Sequence, residues 1–161
     1  MEYNNKGIRR QDRTLDEGRA LEILEQGEYG VLSMQTEDRA EAYGIPLSYA
    51  WDHRQSIYIH CAPEGRKLRC LDACSQVSFC IVGRTHVLPE KFTTGYESIV
   101  LRCTAHHHLS PEERRLGLEV FIKKYCPDHL EQGFANIEKS FHRTELIRLD
   151  IWSVSGKTKK I

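Results

Sequence analysis

No stretch of the 161 residues approaches the ~20 consecutive apolar side chains that span a bilayer, which excludes a membrane helix. The opening MEYNNKGIRRQDR has no apolar core segment and so does not read as a secretory signal. A cytoplasmic protein with reduced thiols is therefore expected. Neither sign of charge dominates, since 23 Lys and Arg stand against 23 Asp and Glu. That balance argues against a protein that grips nucleic acid through a basic face. There is no G-x-x-x-x-G-K-[ST] and no G-x-G-x-x-G, so neither a P-loop nor a Rossmann fingerprint is available. Repeats, low-complexity tracts and Gly/Ser linkers are missing too. Six cysteines are present but no Cys-x-x-Cys pair. Cys70 and Cys74 stand one helical turn apart, a spacing that suits a metal, yet small apolar core side chains are the plainer reading and no metal is assigned.

What is there suits a single domain over residues 1–161, with 40% apolar residues to build its core. TLDEGRALEILEQG reads as a helix, with Thr14 and Glu17 in capping-box spacing, Ala20, Ile23 and Leu24 on one face, and Gly27 as its stop. YGVLSMQT and AYGIPLSYAWD read as paired strands. Pro46 cannot donate to a ladder, which puts the second of them at an edge or a bulge. SIYIHC is a third strand, with Ile57, Ile59 and Cys61 on one face and Tyr58 and His60 on the other. EGRKLRCLDAC is a short helix and QVSFCIVG a fourth strand; RTHVLPEKFTTGY is expected to be a loop and ESIVLRCTAHHHL a fifth strand. SPEERRLGLEVFIKKYC is a helix capped by Ser110. A second helical stretch around HLEQGFANIEKSF precedes a last strand, TELIRLDIW. Strands clustered in meanders predict a mainly β fold, an antiparallel sheet or barrel with peripheral helices.

The stretch IYIHCAPEGRKLRC places Arg66 and Lys67 on the first turn of a helix that follows a strand. Bases are disfavoured there, because the free amides already make that end positive. A bound phosphate resolves the conflict, with Gly65 allowing close backbone approach. The alternative is a pair of solvated surface bases.

These residues carry a resemblance. YGVLSMQTEDRAEAYGIPLSYAWD, IYIHCAPEGRK, YESIVLRCTA and the closing DIWSVSGK resemble, in order, the flavin-binding split-barrel superfamily of pyridoxamine-phosphate-oxidase-like proteins. The nearest likeness is to its nitroimidazole-resistance (Nim-type) branch, whose FHxAxEGRKxxxL is similar to IHCAPEGRKLRCL here. The resemblance spans about Ile8 to Lys157. It implies a six-stranded antiparallel split β-barrel and a homodimer with flavin at the subunit interface. It also implies that Arg66 and Lys67 hold the flavin phosphate, and that His60, Cys61 and Ala62 line the ribityl chain and ring. Leu47 and Ser48 would meet the polar edge of the ring, while Ser98 and Trp152 would approach it from the second subunit. The implied cofactor is FMN, with FAD equally able to present a phosphate. After the terminal Trp, WSVSGKTKKI has neither Arg nor His, which departs from the substrate motif of the true vitamin B6 oxidases and turns the reading away from that substrate.

The expected function is a flavin-dependent reductase of small electrophilic molecules such as nitroimidazoles and other nitroaromatics, with His60 as the catalytic candidate. A non-catalytic flavin-binding module and a haem-binding or haem-degrading protein are the alternatives. For AHHHLSP, strand alternation puts only His106 and His108 on one face, so the three histidines are not expected to chelate together.

Overall fold

Period-two alternation builds most of the molecule, and the computed structural model describes residues 1–160. The elements are β1 (Glu2–Tyr3), α1 (Glu17–Gln26), β2 (Tyr29–Gln35), β3 (Ala42–Ser48), β4 (Ala50–Trp51), β5 (Ser56–Cys61) and α2 (Arg66–Ala73). They continue with β6 (Gln76–Leu88), β7 (Thr93–His106), α3 (Pro111–Tyr125), α4 (Leu130–Ser140) and β8 (Glu145–Lys159). The strands form one sheet in the order β3-β2-β6-β7-β8-β5-β4, with β1 added in parallel to β8. All other pairings are antiparallel.

β3 and β5 approach one another without pairing, which leaves the barrel split between them. Pro46 sits on β3, an edge strand, where its missing N–H costs no ladder bond. Inside the barrel, Leu32, Ile57, Ile59, Phe79, Ile99, Leu101 and Leu149 are fully buried. The opposite face of β5 and β8 carries a second core, in which Leu146 packs with Leu118 and Phe121 of α3 and Ile137 of α4. Fully burying a Leu, Ile or Phe contributes about 1.5–3 kcal/mol, so these two cores dominate the stability of the fold.

The structure has eight strands where six are expected. β1 is two residues long and forms by pairing with distant chain, which local patterning does not show, while β4 lies inside the expected AYGIPLSYAWD strand, which the structure divides after Ser48. The RTHVLPEKFTTGY segment is not a loop. It continues β6 and opens β7, and the two strands turn at Pro89–Lys91 with Phe92 in the left-handed region. The Pro and Gly punctuation suggested a loop, but Thr85, Val87, Thr93 and Thr94 suit a pleated ladder and find one. The helix α1 is capped by Asp16, which accepts from the Arg19 N–H, rather than by Thr14. The Thr14 hydroxyl instead donates to the Gln11 carbonyl.

Trp152 is a β-bulge. Arg102 pairs with Ser153 and Cys103 with Ile151, which leaves Trp152 as the extra residue. Ile147, Leu149 and Ile151 point inward before it, and Val154, Gly156 and Thr158 after it.

Candidate flavin site

The helix α2 begins at Gly65, whose φ of 146° is open to glycine and strained for a residue with a Cβ. No side chain caps its first amides, and its first turn contains no acid. Arg66 and Lys67 follow directly. The Arg66 guanidinium lies 4.6 Å above the centre of the Tyr43 ring and 3.4 Å from Glu41 Oε2, with about half of its side chain exposed. Surface pairs of this kind contribute about 0–1 kcal/mol, so the fork is free to turn to a stronger anion. Lys67 sits by the Cys61 thiol. Burial pushes that thiol up from its ordinary pKa, and the ammonium opposes the shift only in part.

His60 projects from the outer face of β5 and meets Phe121 edge-on, with ring centroids 4.8 Å apart. One side of the imidazole reaches solvent and the other rests on this apolar wall. Burial lowers its pKa, so it is neutral at pH 7. His60, Cys61 and Ala62 form one side of a cavity of about 520 Å3, with Leu118 and Phe121 of α3 opposite and Arg143 at its rim. Phe121 stacks on Tyr125 at 5.8 Å, and Ser48 lies against the Tyr125 phenol. Leu47 turns the other way and packs on the barrel core.

Arg66 therefore meets Tyr43 of β3 and Lys67 meets Cys61 of β5, the two strands that flank the split, while His60 faces α3 and α4 in a cavity that neither cation lines. Ser98 and Trp152 do not join them. Among the described residues, neither shares a hydrogen bond or ring contact with Arg66, Lys67 or His60. Ser98 pairs with Val82 and Lys157, and Val100 with Cys80 and Ser155, on the outer face of the sheet. Val82, Val100, Tyr29, Val31 and Trp152 are exposed there. Sequence reasoning missed Glu41, Tyr43, Tyr125 and Arg143. Each reaches the site from a distant element.

Residues 16–158 match the family model described as pyridoxamine 5'-phosphate oxidase. The chain belongs to the pyridoxamine 5'-phosphate oxidase family. Solved structures agree on the fold. A 5-nitroimidazole antibiotic resistance protein of Bacteroides thetaiotaomicron superposes with a TM-score of 0.72 at 17% identity, over 89% of this chain and 84% of the other. A FAD-binding protein from Mesorhizobium loti gives 0.65 at 19% identity, over 92% and 97%. A FAD and heme binding protein from Mycobacterium smegmatis gives 0.77 at 14% identity, over 94% and 75%. No curated protein matches the chain. The split-barrel architecture expected for the pyridoxamine 5'-phosphate oxidase family is thus present, with its strands arranged around the gap that holds the candidate site. No helix among the described residues is long and apolar enough to cross a membrane.

Proposed function

We propose that the chain is a homodimeric flavoprotein, with FMN or FAD, that reduces small electrophilic molecules such as nitroaromatics. One observation carries the reading: an uncapped helix start with no acid and two adjacent cations opens onto the split of the barrel. These groups fit a phosphate, since amides, helix dipole, guanidinium fork and ammonium all favour an anion at one point. The family, and the flavin in the names of two structural relatives, support the same cofactor class.

When bound, the flavin supplies the two-electron chemistry. Arg66 and Lys67 hold its anionic end. His60 stands at the cavity as a neutral imidazole, whose N–H is able to donate a hydrogen bond to a substrate atom that gains electron density. Phe121 fixes the plane of that imidazole and excludes water from one side of it. Ser98 and Trp152 lie on the outer sheet face, where a second copy would bring them to the site.

Purified protein is expected to show flavin absorbance, and mass spectrometry of the released cofactor identifies which flavin it is. In Arg66→Ala combined with Lys67→Ala, losing two charge-assisted contacts of about 1.5–3 kcal/mol each lowers flavin affinity on the order of 10² to 10⁴-fold. Full flavin occupancy in a folded double variant would overturn the assignment. NADH bleaching followed by recovery on adding a nitroimidazole marks the reductase. Two relatives whose names give binding and no reaction, one of FAD and one of FAD and heme, favour a second reading, a non-catalytic flavin module. Such a module would bleach without substrate-dependent recovery.

A further inference from the structure

We propose that Asp72, His107 and His108 form a binding site for a divalent ion of the zinc class, at the end of α2 opposite Arg66 and Lys67. The site does not depend on the flavin reading. Regular strand alternation would separate these two histidines, but β7 ends at His106. His108 then takes a φ of 60°, a left-handed conformation that a side chain without a special reason avoids. The turn brings the two imidazole rings to 4.0 Å between centroids, both beside Asp72. Asp72 Oδ1 lies 2.8 Å from His107 Nε2 and 3.7 Å from His108 Nε2. Donors around a tetrahedral ion with bonds near 2.0 Å stand roughly 3.3 Å apart, and the observed distances bracket that value.

His107 is the buried member of the three. The His107 side chain is only 8% exposed, and its Nδ1 is buried with no hydrogen-bond partner. The one polar edge this ring uses is the edge turned to Asp72. Two imidazoles and a carboxylate suit Zn2+ and its neighbours rather than Ca2+ or Mg2+. Asp72 and His108 are more than half exposed, so a fourth position stays open to water.

Zn2+ titrated into the purified protein, followed calorimetrically, is expected to bind at one ion per chain. Asp72→Asn and His108→Ala change exposed side chains and should leave the fold intact. Each is expected to weaken Zn2+ binding at least about 10-fold, the lower bound seen even for loss of an outer-shell partner. His86→Ala, an exposed histidine elsewhere, should leave it unchanged. X-ray absorption at the bound ion should count two imidazole ligands and no sulfur. A parent protein that takes up no Zn2+, variants that bind it as tightly as the parent, or a sulfur-ligated ion would each overturn the proposal.

Discussion

Lys124 joins three parts of the chain with one ammonium. Its Nζ donates to the Gly27 carbonyl at 2.6 Å and the Tyr49 carbonyl at 3.0 Å, and lies 4.0 Å from the centre of the Tyr49 ring. Burial lowers its pKa to about 8 from an ordinary 10.5. Between those values the unfolded chain binds the proton and the folded chain does not. The contribution of this site to stability is therefore smallest below pH 8 and rises as pH climbs through the window. Cys103, pushed up to about 12 by burial, and the buried Tyr49 work in the opposite direction at alkaline pH. The useful quantity is thus the difference from Lys124→Met. Urea midpoints at pH 7.5 and 9.5 should show the parent gaining on the variant as pH rises, by roughly 1–2 kcal/mol after allowing for solvent screening. A constant difference would place the lysine in water. At this scale Gly65-Arg66-Lys67 was legible because the residues are consecutive. Lys124 was not, because its acceptors lie 75 and 97 positions away. The same holds for the Glu41 and Tyr43 partners of Arg66.

Among the elements, α3 was the most completely legible, since Ser110 accepts from the Glu113 N–H as the capping box predicts. Its contact with the sheet was not. Gly117 faces β5 and β8, where an added Cβ would strike Leu146 Cδ2 and stand 2.7 Å from Tyr58 Cδ1. Alanine gains up to about 1 kcal/mol of helix propensity over glycine, while overpacking costs typically 1–3 kcal/mol. Gly117→Ala should therefore destabilise by up to about 2 kcal/mol, read as a lower urea midpoint. A stabilised variant would mean that α3 is free to shift outward. The same α3 carries Phe121 to His60, so a shift should also change the cavity. The β6–β7 hairpin was missed because its pairing is paid for by tertiary twist and cross-strand neighbours, which punctuation residues do not report.

For the whole molecule, strand clustering made an antiparallel sheet or barrel legible and Pro46 marked an edge strand, while the split barrel was legible only through the family resemblance. The short strand β1 was not, and β4 was read as the end of the strand that carries Pro46. The outer sheet face leaves Tyr29, Val82 and Trp152 exposed, at 62%, 61% and 47%. Exposed aromatics and β-branched residues gathered on one face fit a partner surface better than solvent. Under the homodimer reading, Val82→Glu places two like charges in the contact. It should give a monomer by analytical ultracentrifugation and lower flavin retention. Trp152→Ala should weaken dimer or cofactor. Unchanged mass and unchanged flavin content in both variants would assign that face to water.

The bulge at Trp152 makes the parity of the final strand a heritable property of its length. Losing Trp152 would remove the extra residue and leave strict alternation with Val154 and Thr158 still inside, whereas flattening the bulge with every residue kept would turn them outside and bring Ser153, Ser155 and Lys157 in. Related chains are therefore free to exchange side chains at this position or to lose the bulge together with its residue, but a single insertion or deletion elsewhere in the strand must be matched by a second.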